Sequence, residues 1–359
     1  MVGFLSAICE LDFWRKSTAA TPPPGGRHVT HQTIQSQPFE FIYNFSAHKC
    51  GTTLACFKTM SQARPIRPGT TYLITRRIER RYCLLRPDRT INTYLLYAFI
   101  VSARKHGILL HAFCAMSTHM HYVVSDPDGK LPQFLAMFHR LVALGVKVIR
   151  DWNGAVWNRS QTSIVELCTP EAIVEKIAYT LANPVKAGLV RFAHEWPGFK
   201  THADDIGGTK LHAKRPLNCF NPKNEHWNLH VDYDVSLPPS IPVTRLEGFR
   251  AAIKEELANI ENSVHATISK KKVLGAARVL KTNPKSRITS YEPTKQRNPT
   301  IAAGRGKTKK LQEAQKARRD FLKHYRLALQ SWRAGNRTVV FPAGTYAMRV
   351  FHSANVAPK

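Results

Sequence analysis

Acidic residues are scarce in this chain: 24 Asp and Glu stand against 53 Lys and Arg in 359 residues, a formal net charge of +29 at pH 7. So strong an imbalance points to a polyanionic partner, because each phosphate neutralised releases condensed counterion. The bland alternative is a basic protein that is merely well solvated. Long apolar runs are missing as well. None approaches the roughly 18 residues that a bilayer span requires, so no membrane is expected. The seven cysteines contain no Cys-x-x-Cys pair and are odd in number, which excludes a zinc ribbon and a disulfide framework and suits a reducing, cytoplasmic setting. Residues 1–63 lack any consistent period and are broken by Thr21-Pro22-Pro23-Pro24-Gly25-Gly26. They read as a poorly patterned extension, disordered or ahead of a true start at Met60. A signal peptide is not expected there, since Glu10 and Asp12 interrupt a short apolar stretch that has no basic head. With 43% apolar and 9% aromatic residues, the rest has ample material for a core.

The richest stretch is Ala115-Met116-Ser117-Thr118-His119-Met120-His121-Tyr122-Val123-Val124-Ser125. In a strand, alternate side chains share a face, so His119 and His121 lie side by side while Met120 points to the core. Two neutral imidazoles are half of a divalent metal site, which needs at least one more ligand from elsewhere. The alternative is a pair of solvent-facing histidines on an edge strand. Residues 170–182 read as a helix: Pro170 and Glu171 suit its first turn, Ile173, Val174, Ile177 and Leu181 form an apolar stripe, and Pro184 and Gly188 end it. Tyr179 and Asn183 are four apart, placing a phenol and an amide oxygen on one face. A phenol can be a nucleophile and an amide oxygen a metal ligand.

The order around these motifs is regular. A strand is expected over 71–75, a helix over 88–106 with Asp88 as its cap, strands over 109–115 and 119–125 joined by a tight turn, a helix over 131–152 and a strand over 160–168. This β-α-β-β-α-β order predicts an α+β, ferredoxin-like split βαβ sandwich, an antiparallel sheet with helices on one face. Its open face would carry His119 and His121, crossed by the Tyr179 helix.

Four ordered blocks between residues 68 and 199 resemble a known family. They are Tyr72-Leu73-Ile74-Thr75-Arg76-Arg77, the 115–124 stretch, Asn153-Gly154-Ala155-Val156-Trp157-Asn158-Arg159, and 179–190 with its Asn-Pro-Val-Lys-Ala-Gly-Leu-Val ending. The chain resembles the single-tyrosine HUH transposases, in the branch called REP-associated tyrosine transposases. Ser117-Thr118 stands where the family often has Pro-Asn, and Leu73 and Leu181 where it often has His. The resemblance implies the ferredoxin-like fold and an Mg2+ or Mn2+ ion held by His119, His121 and Asn183. It also implies attack by Tyr179 on single-stranded DNA beside an imperfect palindrome, giving a 5′-phosphotyrosine, in a monomer or homodimer.

Segments of 64–200, 201–268, 269–319 and 320–359 follow from the composition. Residues 201–222 read as loop, and 226–237 as an amphipathic strand whose His226, His230, Asp232 and Asp234 form a wet face rather than a metal stripe. Residues 244–263 read as a helix. From 269 to 319 there are 16 Lys and Arg against Glu292 and Glu313, interrupted by Pro and Gly, which reads as a basic flexible arm that follows phosphates. Arg76, Arg77, Arg159, Lys186, Lys270, Lys271, Lys272, Arg305, Lys307, Lys309 and Lys310 are the expected DNA-binding cations. A helix over 311–334 and a hairpin of strands 338–341 and 345–351 end the chain, with Phe341, Tyr346 and Phe351 better suited to core packing than to base stacking. Three function classes remain: a DNA nickase and strand transferase, a non-catalytic binder of structured DNA, and a metallohydrolase that would not need Tyr179.

Overall fold

Alternation along each strand builds the sheet. In β1 (Thr70–Arg77), Tyr72 and Ile74 enter one apolar cluster while Leu73 enters another on the opposite face. The computed structural model describes residues 63–358 except 160–161, 222, 225–226, 270–271 and 290–298; the reading of residues 1–62 and the cations Lys270 and Lys271 therefore lie outside the described residues. After β1 come α1 (Arg89–His106), β2 (Leu109–Met116), β3 (His119–Asp126), α2 (Leu131–Arg150), β4 (Ser163–Leu167) and α3 (Pro170–Lys186). The main sheet has the order β2-β3-β1-β4-β7, where β7 (Ile301–Ala302) runs parallel to β4 and the other neighbours are antiparallel. The first four strands form the expected split βαβ. The sheet as a whole is mixed, because β7 adds a parallel edge.

Local chemistry sets the helix ends. The Asp88 carboxylate accepts from the Ile91 amide at 3.0 Å, and Gly107, at φ +66°, closes α1. Asp126 caps α2 by accepting from the Lys130 and Leu131 amides, both at 2.8 Å. The two helices approach so closely that a Cβ on Gly145 would sit 2.0 Å from the Tyr94 ring, and the Tyr94 hydroxyl donates to the Leu141 carbonyl at 2.6 Å. By length and composition α2 could cross a bilayer, contrary to the sequence reading; here Phe134, Phe138, Val142 and Val146 are buried in the core beneath α1 and the sheet.

The opposite face is covered by α3 and, beyond it, α4 (Leu246–Thr267), through Leu73, Val123, Ile173, Ile177, Leu181, Phe249 and Ile253. Thr169 caps α3 by accepting from the Ala172 amide. This helix runs a turn past its expected end, because proline's fixed φ is helical and its missing N–H forfeits one bond only. It stops at Gly188, φ +64°, with the Gly188 and Leu189 amides donating to the Val185 and Pro184 carbonyls.

The remainder departs most from the sequence reading. The expected loop at 201–222 contains β5 (Lys210–Lys214), paired with β6 (His230–Asp234), whose Val231 is buried and whose His230, Asp232 and Asp234 are exposed as expected. Where described, the basic arm is not free. Its amides and carbonyls at Leu274, Gly275, Ser286, Ile288, Thr300 and Ala302 bond Gly188, Leu189, Cys83, Arg81, Glu166 and Cys168; it carries α5 (Ala276–Lys281) and supplies β7. Proline and glycine broke the periodic signal without preventing pairing with distant segments. Residues 63–358 fall in one compact unit by their contacts. After α6 (Thr308–Arg333), the second strand of the expected hairpin is instead α7 (Ala347–His352). Phe341, bridged to Val356, fills a small core with Ala328, Met348 and Ala354, while Phe351 is exposed.

Candidate active site

The register puts the two histidines together. On β3, His119 faces Arg77 of β1 and Met116 of β2, and His121 faces Thr75 and Cys114. Their rings lie 4.7 Å apart, edge to face, on the sheet face that α3 covers. The Tyr179 ring stands 5.6 Å from the His121 ring at 89°. Lys186 Nζ lies 4.6 Å from the centre of the Tyr179 ring and Lys176 Nζ 5.9 Å. Tyr179 thus has the His121 imidazole and two lysine ammonium groups about its ring, a setting that draws an incoming phosphate.

Both imidazoles are held neutral. Burial, with the Arg77 and Arg81 cations adding, pushes His119 down to about 3. Burial, then His119, Arg77 and Lys186, holds His121 well below the ordinary histidine range. Threonine hydroxyls fix both rings: Thr118 Oγ1 lies 2.9 Å from His119 Nδ1, and Thr75 Oγ1 2.9 Å from His121 Nδ1. A hydroxyl can accept, so Nδ1–H donated to threonine leaves each Nε2 lone pair for a ligand. The Asn183 side chain donates to the Tyr179 carbonyl at 2.8 Å, which orients its amide one turn beyond the phenol.

Two neutral imidazoles and one amide oxygen are donors of the kind a divalent ion accepts; the fold brings His119 and His121 together and sets Asn183 one turn beyond Tyr179. No cluster of three or more His, Cys, Asp or Glu occurs among the described residues, so an ion on the two histidines would draw any third protein ligand from another residue type. Cys114, although beside His121, is pushed up to about 12 by burial and stays a thiol. It is therefore neither a thiolate ligand nor a competing nucleophile.

The expected DNA-binding cations are not gathered in one place. Arg77 shares the histidine face, whereas Arg76 points to the other and lies over the Trp157 ring at 5.4 Å. Arg159, Lys186, Lys272 and Lys309 are exposed. Arg305 pairs with Glu175 of α3 and Glu256 of α4, Lys307 with Glu171 at 2.9 Å, and Lys310 with Glu313 at 3.1 Å. Arg305 and Lys307 thus tie the C-terminal segment to the helices behind the site, a role their charge alone did not announce. Sequence reading also missed Thr75, Thr118 and Lys176. Lys176 was accessible through its i−3 spacing from Tyr179, but the threonines depend on β1–β3 register and on the turn.

No family model matches the chain, and no curated protein does. Among solved structures, a REP-associated tyrosine transposase bound to a REP hairpin is similar at 22% identity and a TM-score of 0.35, over 41% of this chain and 85% of that one.

Proposed function

We propose that this chain cleaves and rejoins single-stranded DNA through a covalent tyrosine link. The observation that carries the reading is the edge-to-face stack of His121 on Tyr179, with His119 alongside and Lys186 over the phenol. A metallohydrolase would have no use for a tyrosine wedged between its histidines and two lysines. A passive DNA binder would have no use for two imidazoles held neutral.

The Tyr179 oxygen attacks the scissile phosphorus, the bond from phosphorus to the 3′ oxygen breaks, and that oxygen leaves as a 3′-hydroxyl. The phenolic proton passes to solvent, the leaving 3′ oxygen takes one from solvent in turn, and Lys186 and Lys176 offset the negative charge about the ring. The 5′-phosphotyrosine keeps the phosphodiester energy, so a 3′-hydroxyl on another strand can attack and rejoin without ATP. Mg2+ or Mn2+ held by His119, His121 and Asn183 would polarise the phosphate. The same reading makes hairpin-forming DNA the substrate.

The test is a labelled pool of DNA hairpins with single-stranded flanks, incubated with Mn2+ and the full chain, then denatured. A protein–DNA adduct mapped to Tyr179, absent in Tyr179→Phe although DNA is still bound, supports the proposal. Cleavage that persists in Tyr179→Phe, or that occurs with no adduct, overturns it in favour of a metal-bound water.

A further inference from the structure

The C-terminal half of the chain carries a charged surface formed by residues other than those of the candidate site. α6 is a single 26-residue helix with two opposed faces. Phe321 and Ala328 are buried on one, where Tyr325, Leu329 and Trp332 join the cluster around Phe341. On the other lie Lys316, Arg319, Lys323, Arg326, Gln330 and Arg333, all exposed. Their spacings of 3, 4, 3, 4 and 3 residues keep them on one stripe. The stripe spans about 26 Å at 1.5 Å per residue. It holds no acid: Glu313 and Asp320 lie to one side, and Glu313 is taken by Lys310. Among the described residues none of the five cations is in an ion pair, unlike Arg305, Lys307 and Lys310 just upstream.

We propose that this face of α6 docks on the phosphates of duplex DNA. Five like charges held on a rigid rod repel one another, and a polyanion of matching length relieves that repulsion. The form of the surface selects a duplex over a single strand. Single-strand sites combine a groove with aromatic platforms, whereas this stripe is convex and its neighbouring aromatics are turned inward. Cations about 4.5 to 6 Å apart from Lys316 to Arg326, with Arg333 about 10.5 Å further along the same straight axis, suit a phosphate row bordering a groove. An interfacial helix on a membrane would need its apolar face free, and here that face is already packed. The inference does not depend on the cleavage chemistry, and it gives a duplex stem its own contact surface on α6.

The test measures binding of the full chain to a 30-base-pair DNA duplex, to a 30-nucleotide oligo-dT and to phosphatidylserine vesicles at several salt concentrations. One variant changes the five stripe cations to Gln, which keeps helix propensity. A control of equal net charge changes Arg89, Lys105, Lys147, Lys210 and Lys214, all exposed elsewhere. The slope of log K against log salt for the duplex should become shallower by about four in the stripe variant, at roughly 0.9 per phosphate contact. It should change by less than about one in the control, and for oligo-dT in either protein. A milder variant, Lys323→Gln with Arg326→Gln, should lose about two and keeps the test open if the larger one folds poorly. Equal losses on duplex and oligo-dT, equal losses in the control, an unchanged duplex slope, or loss of vesicle binding alone would each overturn the proposal.

Discussion

Acid should unfold this protein early, and two histidines outside the candidate site let the effect be sized. His111 is fully buried, with Nδ1 2.8 Å from the Ser236 carbonyl and Nε2 2.7 Å from Ser125 Oγ. A carbonyl only accepts, so Nδ1 carries the proton; Nε2 then accepts from Ser125, whose oxygen accepts from Thr71 Oγ1 at 2.7 Å. Protonating Nε2 would set a donor against a donor. Burial pushes His111 down to about 4 and His139, 2.8 Å from the Tyr122 hydroxyl, down to about 3. A histidine depressed in the folded state binds its proton first in the unfolded chain. Its stabilising effect is therefore complete above the ordinary value near 6.5 and is lost as pH falls towards the folded value. At pH 5, one and a half units below 6.5, each should cost about 2 kcal/mol at 1.36 kcal/mol per unit, or about 4 kcal/mol for the two together. That is a large share of an ordinary domain's 5–15 kcal/mol. Urea unfolding of the full chain at pH 7.5 and pH 5.0, beside His111→Gln and His139→Gln, measures it. Each variant should be less stable at pH 7.5 yet lose about 2 kcal/mol less than the parent on acidification. Two-dimensional NMR showing either ring titrating near 6.5 in the native protein would refute the reasoning.

Four further outcomes are expected. Tyr179→Phe should remove adduct formation altogether, and His119→Ala or His121→Ala should lower single-turnover cleavage at least a thousandfold, about 4 kcal/mol of barrier; Asn183→Ala should fall as well, and full cleavage by that variant in low-millimolar Mg2+ would remove Asn183 from the site. If the proposed ion is bound there, Thr75→Val or Thr118→Val should weaken Mn2+ binding by about tenfold to a hundredfold in calorimetry, because each removes the hydroxyl that orients a histidine ring through its Nδ1. Lys186→Gln should slow adduct formation about tenfold at saturating DNA, with the salt slope of binding changed by no more than about one contact. Gly304→Val should destabilise by about 1–3 kcal/mol in urea unfolding, since φ is +79° and a Cβ would meet the Ala172 amide and Glu171 at 2.9 Å.

What the chain spells out locally, it spells out well. The β-α-β-β-α-β order, the Asp88 cap and the shared face of His119 and His121 each depend on neighbours within a few residues, where period and capping chemistry act. What depended on distant partners was hidden. β5 is a five-residue strand with exposed Lys210, His212 and Lys214, so its alternation is slight until β6 pairs with it. β7 is two residues long and exists only because the β4 edge accepts it. α7 carries Val350 and Phe351, which suggested a strand, but Met348 and Ala354 find the Phe341 pocket only if the segment coils. At the site, the pairing of Tyr179 with His121 required the fold itself, since 58 residues separate them.

The C-terminal segment does more to position the proposed nucleophile than its composition suggests. Thr169 caps α3 and also donates from Oγ1 to the Ala303 carbonyl at 2.8 Å, while β7 extends the sheet from β4, the strand that leads into α3. Arg305 then bonds Glu175 and Glu256, joining the first turns of α3 to α4, and Lys307 holds Glu171. Exposed pairs contribute little singly, but these act with a backbone pairing and a buried cap, so they share one geometry instead of each ordering two free side chains. Tyr179 stands one turn beyond Glu175 on the same helix. Cutting the chain before residue 299 should therefore disturb the Tyr179–His121 stack, and slow cleavage of saturated DNA as well as weaken DNA binding. A truncated protein whose adduct forms at the parental rate when saturated would show that α3 is held by the sheet face alone.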